Sequence, residues 1–158
     1  MDWSTKAQEI RAVMLDVDGV LTDCRIGYGC GSDEEIKFFH IRDGVGIALL
    51  RHSGIKVGII TGRRCKANRK RAEELKMDFI MEAVVRKRDA LLALCEQFGL
   101  QPANCLYVGD DLVDLGPMRL AGIAVAVGDA APEIKAVATW VTSAPGGRGA
   151  VREVAEWL

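Results

Sequence analysis

Six short apolar runs recur along the chain at intervals long enough for a helix. They lie at 12–17 (AVMLDV), 56–61 (KVGIIT), 78–81 (DFIM), 105–110 (CLYVGD), 123–127 (IAVAV) and, as an edge strand, 138–142 (ATWVT). Most are continuous rather than alternating, which is the pattern of parallel strands covered on both faces. Helical patterns lie between them at 43–53, 64–76, 86–98 and 111–121, and Pro132 suits the first turn of another short helix. In the segment 86–98, Leu91, Leu92, Leu94, Cys95 and Phe98 fall towards one side. Strand–helix alternation of this kind predicts the α/β class, with a doubly wound parallel sheet. No internal repeat, linker or low-complexity tract interrupts the 158 residues, so one domain over 1–158 is expected.

One region breaks the alternation. The segment 24–40, CRIGYGCGSDEEIKFFH, has a strand-like start, a glycine-rich middle and a strand-like end. It predicts a β-hairpin projecting from the sheet. It is too short for a cap domain.

The strand ends carry the chemistry. In open α/β sheets, ligands bind beyond the carboxyl ends of the strands. The first run ends in Asp16 and Asp18, the second in Thr61–Arg64 (TGRR), and the fourth in GDDLVD with Asp110, Asp111 and Asp114; Lys87 follows the third. Two acids at the buried end of a strand repel one another and lose hydration, so a cation between them is expected. Asp16 and Asp110 on neighbouring strand ends would suit Mg²⁺, a hard cation that takes one or two carboxylates together with a substrate phosphate. In that setting Asp16 is the candidate nucleophile and would form an aspartyl-phosphate. Asp18 is the candidate acid and base, and Thr61 and Lys87 would hold phosphoryl oxygens and take up charge. Gly19 would let the backbone come close to the phosphate.

Composition narrows the setting. The net charge of -1 gives no reason to expect nucleic acid or an anionic membrane as a partner. The five cysteines are scattered, without a CxxC, as in a protein with reduced thiols. The first residues hold no signal-like apolar core and no run is long enough to span a bilayer, so the cytoplasm is the expected location.

DVDGVLTD, TGR, Lys87 and GDDLVD, in that order, resemble the haloacid dehalogenase superfamily of phosphatases. The hairpin region, FFHIRDGVGI, IITGRR and GGRGAVRE are similar to its capless 3-deoxy-D-manno-octulosonate (KDO) 8-phosphate phosphatases. That resemblance covers roughly 12–158. It implies a Rossmann-like fold without a cap, and Mg²⁺-dependent hydrolysis of a sugar acid phosphate in lipopolysaccharide synthesis. It also implies a homotetramer in which the hairpin of one subunit helps close the next subunit's site. By the same resemblance the metal is held by Asp16, Asp110 and the backbone carbonyl of Asp18, with Asp111 and Asp114 in support. Substrate contacts fall on His40, Arg42, Asp43, Arg63, Arg71 and Lys87.

Plainer roles stand beside these. Lys66, Arg69 and Lys70 read as a solvated helix face, and Arg42 and Asp43 equally as a pair at a helix start. The GGRG segment with Arg148 reads either as a turn or as part of the site, and Cys65 as a packing residue with some access. Ala48 stands where an arginine is expected in some relatives. The nearest alternative activity is on a nine-carbon sugar acid 9-phosphate, of KDN or an N-acylneuraminate. Relatives with that preference tend to carry glutamate after TG, where this chain has Arg63. Further off are a receiver-like signalling domain and a non-catalytic sugar-phosphate binder.

Overall fold

The computed structural model describes residues 3–29 and 35–158. Six parallel strands form its sheet: β1 (Ala12–Leu15), β4 (Lys56–Ile60), β5 (Phe79–Met81), β6 (Cys105–Gly109), β7 (Ile123–Ala126) and β8 (Trp140–Val141). Their order across the sheet is β5-β4-β1-β6-β7-β8. All the pairings are parallel. The chain leaves β1 towards one edge and returns through β6 towards the other, so the order reverses between β1 and β6. A doubly wound sheet opens a ligand crevice at such a reversal.

Two further strands form the hairpin. β2 (Gly27–Tyr28) and β3 (Glu35–Ile36) pair antiparallel, with Gly27 opposite Ile36 and Tyr28 opposite Glu35. Most of the expected glycine-rich middle, 30–34, lies outside the described residues.

Helices cover both faces. α2 (Ile41–His52) packs on α7 (Ala150–Trp157), while α4 (Lys87–Phe98), α5 (Leu115–Leu120) and α6 (Pro132–Val137) touch in series. α3 (Lys66–Glu74) links β4 to β5. α1 (Trp3–Ala7), which no apolar run predicted, precedes β1. The core is the sheet itself, with Val13, Leu15, Ile60, Leu106, Val108, Ile123 and Val125 excluded from solvent. The central strands are apolar almost throughout because helices lie above and below them.

The elements depart from the sequence pattern where the site begins. Strand pairing stops at Leu15, Ile60 and Gly109, one or two residues earlier than the apolar runs. One further backbone bond still forms beyond two of these ends, Asp16 N–H to Val108 and Thr61 N–H to Met81. The residues that carry chemistry therefore leave the ladder at its carboxyl edge. The segment expected as one helix over 111–121 divides into a 3-10 turn (Leu112–Asp114) and α5. Asp111 caps the turn by accepting from Leu112 N–H, and Pro117 is tolerated because it falls in the first turn of α5. On α4 the buried side is Lys87, Ala90, Leu91, Leu94 and Cys95; Leu92, expected there, is exposed. Among the described residues, no helix is long and apolar enough to cross a membrane.

Candidate active site

A cleft of about 440 Å³ opens at the reversal between β1 and β6. It is lined by Asp16 and Asp18, by Thr61 and Arg63, by Lys87, and by Asp110 and Asp111. Four separate strand ends supply these side chains, so the sheet brings together residues up to 95 positions apart, from Asp16 to Asp111.

The turn after β1 shapes one wall. Gly19 has φ +96°, a left-handed backbone that disfavours any β-carbon, and an added β-carbon would lie 2.0 Å from Asp110 Oδ2. Gly146 packs against the same turn, where a β-carbon would lie 1.7 Å from the Gly19 carbonyl oxygen. The glycine pair at 146–147 thus braces the floor of the cleft, and Gly147 N–H donates to the Val20 carbonyl at 2.9 Å.

Charges are tightly arranged inside. Lys87 Nζ lies 2.7 Å from Asp16 and 2.8 Å from Asp114. Asp114 is fully buried and also accepts from the Tyr107 hydroxyl at 2.8 Å and from Asp110 N–H at 3.1 Å. With three donors on it, Asp114 holds Lys87 and the start of the acidic loop. Burial, reinforced by the charge of Asp114, pushes the Asp16 carboxyl up to about 6. Burial and then the Asp16 charge push Asp110 up to about 8. Burial pulls the Lys87 ammonium down, but Asp16 and Asp114 outweigh it and hold it above its ordinary value.

Such a site fits a divalent cation. Asp16, Asp110 and Asp114 each present an oxygen within 4.8 Å of the others. Asp110 Oδ1 is buried with no hydrogen-bond partner, an acceptor that a cation would satisfy. The donors are hard carboxylate oxygens, which suit Mg²⁺. Asp114 takes three donors and one Asp16 oxygen takes Lys87, so Asp110 and the other Asp16 oxygen are the groups best placed for a cation. The Asp18 side chain is taken by Lys37, which leaves its backbone carbonyl to offer.

The cleft therefore gathers Asp16, Asp18, Thr61, Lys87, Asp110 and Arg63 from the expected set. Thr61 is buried and its hydroxyl accepts from Arg63 N–H at 3.3 Å. Four expected substrate contacts lie elsewhere within the chain. Asp43 is buried at the contact of α2 with α7, accepting from Gly149 N–H and Arg152 N–H. Both of its oxygens thus accept backbone N–H groups at the start of α7. His40 lies 3.9 Å from Asp43, and Arg42 is exposed at the start of α2. Arg71 donates to the His40 carbonyl at 3.3 Å and sits over the Phe39 ring. It lines a second depression, of about 310 Å³, with Lys37, Phe38 and Lys70. Arg148 is exposed beside Asp23 and is not part of the cleft lining. Cys65 is buried, not accessible.

Two residues of the site had not been anticipated. Lys37 donates to Asp18, and Glu35 pairs with Arg63. Both belong to the second arm of the hairpin. Their spacing of two was a usable signal, since alternate residues of a strand share a face.

Comparison with known proteins agrees with this geometry. The family model for haloacid dehalogenase-like hydrolases matches residues 77–151. The 3-deoxy-D-manno-octulosonate 8-phosphate phosphatase KdsC of Salmonella typhi is 45% identical over 154 residues, covering 98% of this chain and 81% of that protein. Its counterpart from Escherichia coli K12 is 44% identical over 157 residues, covering 99% and 83%. Among solved structures, the phosphatase of that name from Moraxella catarrhalis, in complex with magnesium, phosphate and KDO, superposes with a TM-score of 0.94. It is 39% identical, covering 97% of this chain and 87% of that one. The cobalt-bound Haemophilus influenzae phosphatase superposes with a TM-score of 0.92 at 36% identity, covering 96% and 86%.

Proposed function

This chain belongs to the KDO 8-phosphate phosphatase family of haloacid dehalogenase-like hydrolases, and from that premise we propose how its own residues carry out the reaction. It hydrolyses KDO 8-phosphate to KDO and inorganic phosphate, using Mg²⁺. The observation that carries the reading is the convergence of Asp16, Asp18, Thr61, Lys87 and Asp110 in one cleft at the point where the strand order reverses.

Asp16 is the nucleophile. Its carboxylate attacks phosphorus, the bond to the sugar oxygen breaks, and an aspartyl-phosphate remains. Asp18 passes a proton to the departing oxygen, then takes one from the water that releases phosphate. Lys87, fixed by Asp114, and Thr61 hold the phosphoryl oxygens and receive the charge that builds up on them. Asp16, Asp110 and the Asp18 carbonyl would hold Mg²⁺, which when bound offsets the paired carboxylates and draws the phosphate in. Arg63 at the rim is held by Glu35 through Nε and Nη2, and its Nη1 edge is left to meet the sugar carboxylate. The nine-carbon alternative is not favoured, because the relatives named above are KDO 8-phosphate phosphatases and Arg63 replaces the glutamate expected for it.

The chain works as a single domain in a homotetramer in the cytoplasm, where its product feeds lipopolysaccharide synthesis. Support for assembly is the apolar face around the hairpin, where Phe38 and Ile41 are about four-fifths exposed. An exposed two-stranded ribbon is a liability unless it pairs. His40, Arg42 and Arg71 sit on or beside this face, so they reach substrate across a subunit boundary. Asp43 acts by holding α7.

The test is phosphate release from KDO 8-phosphate and KDN 9-phosphate, with Mg²⁺ and with a chelator. Metal-dependent release from the KDO ester, lost in Asp16→Asn, is expected. Preference for the KDN ester would overturn the role given to Arg63. A mass in solution near four times 17.2 kDa is expected, and a monomer would overturn the shared site.

A further inference from the structure

One buried cation has no part in the steps above. Lys37 follows β3, and its side chain is wholly shielded from solvent. Its Nζ donates to both oxygens of the Asp18 carboxylate, at 2.6 and 2.9 Å. A lysine is seldom taken out of water unless its charge is paired, because burying an unpaired charge is costly. Two residues earlier on the same face, Glu35 pairs with Arg63, beside Thr61. The hairpin is thus fastened to the cleft at two points, one of them the residue assigned to proton transfer.

We propose that Lys37 is the positioning residue for proton transfer: by gripping the Asp18 carboxylate it fixes where the proton is given to the leaving oxygen. The inference rests on the phosphatase reading above. In the first step the Asp16 oxygen bonds to phosphorus and the phosphorus–oxygen bond to the sugar breaks. Its electron pair stays on the sugar oxygen, which takes the proton of Asp18. In the second step Asp18 takes a proton from water as the water oxygen bonds to phosphorus and the Asp16–phosphorus bond breaks. The sum is ester plus water giving alcohol plus phosphate. An ammonium that reaches both oxygens of Asp18 keeps hold of one while the other carries the proton. Asp18 is one-fifth exposed and would turn freely without that hold. A misplacement of about 1 Å at a reacting group costs on the order of 100-fold in rate.

The test separates proton delivery from folding by changing the leaving group. An alkoxide needs the proton, whereas p-nitrophenolate leaves without it. For Lys37→Met, kcat on KDO 8-phosphate is expected to fall about 10- to 100-fold with KM within about threefold. The burst of p-nitrophenolate from p-nitrophenyl phosphate, which reports the first step alone, should fall at least about tenfold less. Lys37→Gln, a milder change that keeps a donor, should lie between Lys37→Met and the parent. Lys37→Met should add no further loss in an Asp18→Asn background. Equal losses on both esters would make Lys37 a structural residue and overturn the proposal, as would an unchanged kcat on KDO 8-phosphate. A parent chain inactive on both esters would overturn the phosphatase reading itself.

Discussion

Replacing Asp114 by asparagine changes almost nothing in shape and should still be costly. One oxygen of this buried carboxylate accepts from Lys87 Nζ and the Tyr107 hydroxyl, both at 2.8 Å, and the other accepts from Asp110 N–H at 3.1 Å. Every neighbour is a donor. Whichever way the asparagine amide is turned, its NH₂ group faces one of them, and a buried donor is left unmade at a cost of about 1–3 kcal/mol. Lys87 also loses one of its two carboxylate partners. Breaking a buried pair outright costs about 3–5 kcal/mol, but here Asp16 remains at 2.7 Å, so only part of that is lost. A gain opposes these losses, because Asp114 no longer repels the Asp16 carboxylate. The net expectation is a loss of about 2–4 kcal/mol, which for a domain of this size lowers Tm by roughly 5–15 °C. Urea titration of the metal-free protein measures it, and phosphate release should fall as well, since Lys87 keeps only one of the two carboxylates that fix it. A Tyr107→Phe partner closes a double-mutant cycle, in which the double variant should lose less than the sum of the two single losses. Stability within about 0.5 kcal/mol of the parent would refute the claim that Asp114 is held by three donors.

Two other outcomes follow from the same geometry. Gly19→Ala forces a β-carbon onto Asp110 Oδ2 at a left-handed backbone position, so the variant should lose Mg²⁺-dependent thermal stabilisation; an unchanged Mg²⁺ titration would show that the turn can yield. Asp16 and Asp110 sit above the ordinary carboxylate value, at about 6 and about 8, so the metal-free fold takes up protons that the unfolded chain does not. Their contribution to metal-free stability is therefore present at low pH and lost as pH rises through those values. Mg²⁺ must displace the same protons, so the Tm increase it produces should be larger at pH 8 than at pH 6. A constant increase would place the cation elsewhere.

Much of the site was legible because its parts are local. Asp16 and Asp18 follow an apolar run directly, Thr61 and Arg63 follow another, and Asp110 follows a third. A strand end is a short-range feature, and the doubly wound topology sends all such ends to one edge. Continuous apolar runs marked the strands for the same kind of reason, since burial on both faces leaves no polar position. The chain alone therefore determined the class of fold, the sequence of strands along it and the hard, acidic character of the cation site.

Partners, by contrast, were decided only in three dimensions. Asp43 reads from the sequence either as a substrate contact or as one of a pair at a helix start, and in the fold its oxygens accept from Gly149 and Arg152 N–H, more than a hundred residues later. Asp114 looked like one acid among three, and proved to be the inward anchor of Lys87 and Tyr107. Lys37 carried no signal of its own in the sequence, and is buried against Asp18. Each role depends on which long-range neighbour reaches a side chain once the sheet has closed. Burial raises the cost of any unpaired charge, so the folded packing, not the local pattern, selects the partner.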